Sequence, residues 1–457
     1  MSRSLLLRLV PLIIWIVLVL PAVLTGLVGP SEGWDQDFYH RPVVQILSAQ
    51  LPSLNFNDFG SATTPGYHVV LAVIHRLGAS DLELRLLSSL FGLAAAVALC
   101  RVVTRLSNEA FGAVASAVLL LMPYVMSSAV FLTTDDLALF GVTLAVAAAV
   151  DSARAGSTSS TLVRSVTWSC AASIVRQVLL WTAGLQVLAV LMRWMAGHEQ
   201  RPLRALTWAL IAMLPAVALI GWFVWIWGGL VPPGFQRTVS AGINFATPIY
   251  ALALMSCWGA CIAAAHPQFF RALRSRRALL CGLCALGLAL LTVTAPDSPP
   301  LGTRWGGILW NIAARFPVIG GRSVVLVTMA AAGGVVIGTI LEIAARHPRR
   351  SEAWTALSAL ALGVVAQMAN TLCFERYLAP MVIVCTSLAI APLLQEFQSK
   401  ATTSLDSERG VSVVTVRLRW PLLAALVGLC LSVSEVHMKL GDPSAPPPRP
   451  DEFRPTL

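Results

Sequence analysis

Asp35 and Asp37 stand in the segment Trp34-Asp35-Gln36-Asp37-Phe38-Tyr39-His40, directly behind an apolar run from Val10 to Val28. That run is long enough to cross a bilayer core at ~1.5 Å per helical residue. Two carboxylates therefore emerge where a first helix leaves the membrane, and acidic side chains so close to hydrocarbon usually mark function. A carboxylate there suits a general base acting on a hydroxyl within hydrogen-bond reach. Asp135 with Asp136, Arg176 with Gln177, and Glu375 with Arg376 are the other polar groups that interrupt an otherwise apolar chain. An arginine clamps phosphate through two hydrogen bonds and stabilises the charge that grows on a departing phosphate. The basic candidates are Arg176, Arg237, Arg304, Arg315, Arg322 and Arg376, led by Arg376 and by Arg304 of Gly302-Thr303-Arg304-Trp305-Gly306. The competing reading for each is a side chain that snorkels to lipid headgroups.

The elements that must position these groups are membrane helices. Of 457 residues 57% are hydrophobic and 12% charged, with a mean hydropathy of +0.76. Soluble domains carry about 25% charged residues, so the fold class is an all-α polytopic membrane protein. Beyond the first helix the apolar runs lie near 84–104, 110–131, 135–152, 160–175, 178–193, 205–227, 246–265, 278–295, 322–344, 353–370, 374–394 and 418–437, thirteen in all. Segment 66–78 is too short to cross and reads as re-entrant or interfacial. Cytoplasmic loops are enriched in Arg and Lys. With the N-terminus inside, alternate connections carry the Arg clusters, including Arg101 and Arg105, Arg154 and Arg164, Arg271 to Arg277, and Arg346 to Arg350.

The expected organisation is a first transmembrane helix over 1–28 and an extracytoplasmic loop over 29–83 with amphipathic and short re-entrant helices. A helical bundle over 84–438 and a disordered tail over 439–457 complete it. The net charge of +10 sits in these inside loops and implies no nucleic acid. Arg outnumbers Lys 30 to 2 and no Asn-x-Ser/Thr sequon occurs, which favours a bacterial inner (plasma) membrane over the endoplasmic reticulum membrane of a eukaryote. Nine scattered cysteines, Cys281 and Cys284 among them, read as packing residues, and no metal or cofactor is expected.

From Pro42, the apolar positions Val43, Ile46, Leu47 and Leu51 recur at helical spacing, an interfacial amphipathic helix that would hold the acidic segment at headgroup depth. Then comes Thr63-Thr64-Pro65-Gly66-Tyr67-His68, where Pro and Gly mark a sharp helix entry and the hydroxyls are available as caps. Acidic residues after the first helix, followed by Thr-Thr-Pro-Gly-Tyr, resemble the GT-C glycosyltransferases. More narrowly they resemble the α-1,2-glucosyltransferases that add the terminal glucose to the dolichyl lipid-linked oligosaccharide. The resemblance runs in order through Leu84-Arg85-Leu86-Leu87-Ser88, Phe131-Leu132-Thr133-Thr134-Asp135, Val175-Arg176-Gln177 with Trp181, Trp227-Gly228-Gly229-Leu230-Val231, Pro248 with Tyr250, and Phe374-Glu375-Arg376-Tyr377. The family's Asp-Glu-x-Phe-His becomes Gln36-Asp37-Phe38-Tyr39-His40 when the histidine is aligned, and its polar Gly-Asp-Lys/Arg-Ser-Asn-His stretch is replaced by Pro232-Pro233-Gly234-Phe235-Gln236-Arg237.

The resemblance implies a GT-C fold and an inverting transfer of a hexose, glucose in α-1,2 linkage, from a polyprenyl- or dolichyl-phosphate sugar to a glycan or glycolipid acceptor. It implies Asp37 as general base; the neighbouring Asp35 would tune charge and position, and Asp135, which begins a span on the same face, is the reserve candidate. Substrate contacts would come from His40, Thr63, Thr64, Tyr67, Arg176, Gln177, Arg304, Glu375, Arg376 and Tyr377. Arg85 is expected to pair with Asp81 or Glu83, and Trp222, Trp225 and Trp227 to form an interfacial aromatic belt. The alternative is a transporter or flippase of lipid-linked or small solutes, which would call for ionisable groups at midplane and broken helices in paired halves.

Overall fold

The computed structural model describes residues 3–25, 35–154, 159–236, 242–292, 307–369, 375–403 and 418–440. Trp34, Arg237, Arg304, Asn370 and Phe374 lie outside them, as do the tail beyond 440 and the loop 404–417. Among the described residues the fold is helical apart from one two-stranded hairpin, in which Val318 pairs with Ser323 and Ile319 with Arg322.

A helix underlies each of the thirteen apolar runs. Among the described residues seven are long and apolar enough to cross a membrane, and Glu109–Leu120 with Pro123–Val130 make an eighth, bent by 66°. Pro123 begins the second half of that pair, where its missing N–H costs nothing. Asp135–Ser152, Ser159–Val175, Arg276–Leu291, Arg350–Gln367 and Arg419–Leu440 stand under the other five runs. The sequence expectation of about thirteen spans thus meets seven or eight by length and composition, because several runs are short or begin on charged residues. The chain is a multi-pass membrane protein.

Glu375–Gln395 is almost wholly buried and forms the axis of the bundle. Helices apolar all round occupy such positions. Pro202–Trp227 instead exposes Trp208, Leu214 and Trp225 on the periphery.

The Arg clusters gather at one end. Arg105 bonds Asp151 at 2.8 Å, Arg193 reaches the Ser152 carbonyl, Arg350 the Ala196 carbonyl, and Arg349 the Leu106 carbonyl and buried Glu352. Arg277 and Arg346 share Glu342. The connections that sequence reading set on one side therefore do lie together, and Asp81 and Asp135 begin the opposite ends of the helices that carry Arg105 and Asp151.

At that opposite end Gln36–His40 is wound as a π-helical turn running straight into the helix Arg41–Gln50. The amphipathic helix is present, but its buried face is Val43, Val44, Leu47 and Ser48, and Ile46 is exposed. It lies on the short helix Gly66–Arg76, with Ser48 and the His75 ring 3.0 Å apart. Arg41 ties it to Asp81 at 3.1 Å, and Glu83 closes a capping box with Ser80. Both acids expected to pair with Arg85 are thus otherwise engaged. Trp227 is not part of a belt: it is buried, stacks on Phe59 and Phe223, and donates its indole N–H to the Phe56 carbonyl at 2.8 Å.

Candidate active site

Three helix ends meet at the polar end of the bundle. Asp135 opens Asp135–Ser152, Arg176 follows Ser159–Val175, and Glu375-Arg376-Tyr377 opens Glu375–Thr403. Their side chains converge on the Tyr377 ring, with the Arg176 guanidinium 4.7 Å and the Arg376 guanidinium 5.1 Å from its centroid. Cations favour the negative face of such a ring. Arg376 also donates to the Tyr377 hydroxyl at 3.0 Å.

Each guanidinium carries a carboxylate. Arg176 pairs with Asp135 at 3.0 Å and its Nε donates to the Thr134 hydroxyl at 2.7 Å. Arg376 pairs with Asp35 at 3.1 Å across 341 positions of chain. Both members of the first pair are nearly buried, whereas those of the second are about one-third exposed. Beneath them lies a cavity of about 60 Å³ whose polar lining includes Tyr124, Ser128, Asp135, Asp136, Arg176, Gln367, Arg376 and Tyr377. One water needs about 10–15 Å³ of such space, so the cavity holds a few waters or one phosphate-sized group. A whole sugar would have to extend into the open rim.

Asp37 sits differently. It is half exposed, pairs with Arg41 at 3.0 Å, and accepts from the Gln36 amide at 3.0 Å. The other oxygen-bearing arm of Gln36 accepts the Leu132 N–H at 3.1 Å, which fixes the acidic turn against the strand of chain leading to Asp135.

His40 forms part of the floor of this turn. Its Nδ1 lies 2.9 Å from Nε2 of His68, and both rings are buried beside Tyr67 and Phe59. Burial first, then the Arg176 and Arg376 charges, push the His40 pKa down to about 3. His68 is lowered as well, by burial and then by His40 and Arg176. One neutral ring donates to the other, so the pair is a structural clasp between the acidic turn and the short helix. Burial also raises the Tyr39 hydroxyl, with help from Asp35.

A depressed folded-state histidine pKa means that the unfolded chain binds more protons between about pH 6.5 and 3. The stability linked to His40 is therefore complete above pH 6.5 and is lost on acidification, by ~1.4 kcal/mol per pH unit. The melting temperature in detergent should fall between pH 7 and 4 with a slope that His40→Gln/His68→Gln visibly flattens. An unchanged slope in the double variant would show that the clasp does not set the acid sensitivity.

The remaining sequence candidates form the frame. Thr64 donates to the Ser173 carbonyl at 2.7 Å, and neither it nor Thr63 caps the short helix, whose first position follows Pro65. Thr63 lies 3.1 Å from the Ser61 hydroxyl. Buried Tyr67 is 2.9 Å from Ser88, which bonds the Phe131 carbonyl, and Gln177 donates to the Ala62 carbonyl at 2.7 Å. Glu375 accepts from the Tyr250 hydroxyl at 2.8 Å and from the Leu309 N–H at 2.9 Å. Tyr124 accepts the Ile308 N–H at 2.7 Å and Tyr250 the Trp310 N–H at 3.0 Å. Gly307, at φ +129°, is required there, since a Cβ would lie 2.2 Å from the Glu375 carboxylate. Among the polar cavity-lining residues, sequence reading missed Tyr124, Ser128 and Gln367. None carried a signal beyond the position of Tyr124 after a helix-starting proline.

No protein-family model matches the chain, and no curated protein does. Among solved structures it is similar to ArnT from Cupriavidus metallidurans. In the apo state the identity is 16%, covering 85% of this chain and 79% of that one, with a TM-score of 0.38. In the form bound to undecaprenyl phosphate it is 15%, covering 92% and 88%, with a TM-score of 0.39. Overlaps this loose assign no activity.

Proposed function

We propose that this chain is a GT-C-type membrane glycosyltransferase that moves a hexose from a polyprenyl-phosphate donor to a glycan or glycolipid acceptor outside the cytoplasm. The observation that carries the reading is the Arg176–Tyr377–Arg376 cluster, two guanidiniums from distant segments held over one ring with a cavity beneath. The segments quoted for the family resemblance supply that cluster: Thr133 to Asp135, Arg176 with Gln177, and Glu375 to Tyr377. Among the described residues the buried carboxylates stand in the first turns of their helices, Asp136 and Glu375 at the site's end and Glu352 at the Arg-cluster end. None of them sits at midplane, which weighs against a transport path.

In this reading the donor phosphate binds Arg176 and Arg376. Asp35 and Asp135 occupy the anion's places until it arrives. Displacement from Arg376 frees the Asp35 carboxylate to meet the acceptor hydroxyl. Asp35 then takes the proton of the acceptor hydroxyl as that oxygen bonds the anomeric carbon. The bond from that carbon to the phosphate oxygen breaks, its electron pair stays on the phosphate, and the two arginines stabilise the added charge. Attack opposite the phosphate inverts the anomeric carbon. We prefer Asp35 to Asp37 as the base because Asp35 adjoins Arg376, whereas Asp37 is held at the rim by Arg41. Glucose and an α-1,2 linkage follow from the resemblance, and undecaprenyl or decaprenyl phosphate from a bacterial setting.

The test is to reconstitute the protein in liposomes with synthetic polyprenyl-phosphate glucose, labelled in the sugar, and a glycolipid extract as acceptor. Label moving to an acceptor with release of polyprenyl phosphate supports the reading. Donor that crosses the bilayer uncleaved would instead support the transporter.

A further inference from the structure

The hairpin before the helix Val324–Ala345 exposes the wrong residues for water. Ile319 is 68%, Phe316 50% and Val318 47% exposed. The turn is Gly320-Gly321, both at positive φ, so only the strand side chains define its character. Val318 is in register with Ser323, whose hydroxyl accepts the Leu326 N–H and starts the span Val324–Ala345. The apolar pair therefore sits one strand spacing from the first residue of a membrane helix.

Its surroundings continue the same surface. Arg322 donates to the Leu290 carbonyl and, at 2.6 Å, to that of Gly320, which fastens the hairpin to the last turn of Arg276–Leu291. Leu290 and Leu291 are exposed beside it, in line with Leu279 and Leu283 further down that helix. Arg315 is exposed one residue before Phe316. Exposed aliphatic and aromatic side chains next to an exposed guanidinium are the composition of an element lying at the acyl–headgroup boundary. Charge complementarity and continuity with the lipid-facing side of a span both select phospholipid as the occupant.

We propose that residues 315–323 form a lipid-contact element of the leaflet nearest the site, with Phe316, Val318 and Ile319 among the upper acyl chains and Arg315 at phosphate. The preceding helix Ile308–Ala313 is latched to Glu375, Tyr250 and Tyr124. One short segment thus joins the bilayer surface to the arginine cluster. Resting on the function proposed above, this is the face along which a lipid-tailed donor reaches that cluster.

The contact is tested by a nitroxide at Ile319→Cys, in a chain whose nine native cysteines are replaced by serine or alanine, reconstituted in phosphatidylethanolamine–phosphatidylglycerol liposomes. Collisions with oxygen should exceed those with a water-soluble nickel chelate several-fold, the reverse of a label at exposed Ser53→Cys. Nickel access as high as at position 53 overturns the proposal, and so does shielding from both reagents, which would mean a protein partner. Benzoylphenylalanine at 319 in the native-cysteine chain covers the case of a misfolded variant: a phospholipid photoadduct supports the contact, and a protein adduct or none overturns it. The donor route has its own arm. Val318→Ser/Ile319→Ser should raise KM several-fold for a long-chain donor with little change in kcat, and leave KM for a two-isoprene donor alone. Equal effects on both donors would reject the route while leaving the transferase reading intact, and absence of any transfer by the unaltered protein would reject that reading without touching the lipid contact.

Discussion

Asp35→Asn should lower sugar transfer by about 10²–10⁴-fold, the usual consequence of removing a general base. The change keeps the size of the side chain and removes the proton acceptor. It also leaves Arg376 held by Tyr377, so the protein should still insert and still bind polyprenyl phosphate. Asp37→Asn should cost only a few-fold, because that carboxylate faces solvent and mainly braces Arg41. Asp135→Asn is expected to fall between them: it strips the partner from Arg176 in a nearly buried site and so disturbs the phosphate cradle instead of the proton transfer. The rates of the three variants, each measured beside its donor affinity, separate these roles. If Asp37→Asn alone abolishes transfer, the base is Asp37 and Asp35 is only a counterion.

Arg376→Ala should weaken donor binding by roughly 10- to 100-fold, from the ~1.5–3 kcal/mol that a hydrogen bond to a charged group contributes. The loss has two sources. The phosphate loses one of its two guanidiniums, and Asp35 is left without its partner at the mouth of the cavity. Arg376→Lys keeps the charge but gives up the planar fork and its contact with the Tyr377 ring, so it should recover only part of the affinity. Titration with polyprenyl phosphate itself reads the effect without depending on turnover. Unchanged affinity in Arg376→Ala would reduce this residue to a headgroup contact.

Much of the frame was legible because apolar runs of 16 residues or more have few alternatives to helix, and the short helix at 66–76 was recognisable from its length and its Pro-Gly entry. The grouping of Arg clusters at one end was readable for the same reason, since loop charge follows membrane side. The arginines and carboxylates of the site were readable as types, as expensive groups in an apolar chain. Their partners were not. Nothing in spacing says that Arg376 meets Asp35 and that Arg176 meets Asp135, because those pairs depend on how four helix ends are packed. The same holds for Thr64, Gln177 and Glu375: their bonds to the Ser173 carbonyl, the Ala62 carbonyl and the Leu309 N–H are set by packing that sequence does not display. His40 and His68 stand 28 positions apart, and only the crossing of two short helices brings them within 2.9 Å.

The central claim is that Arg176 and Arg376 hold the phosphate of a polyprenyl donor. It is tested most directly by an experimental structure of the protein with polyprenyl phosphate bound in a lipid nanodisc. The expected result is a phosphate within hydrogen-bond distance of both guanidiniums, above Tyr377, with Asp35 displaced from Arg376 and turned toward the open rim. A phosphate seated elsewhere, with the Asp35–Arg376 and Asp135–Arg176 pairs intact, would contradict it.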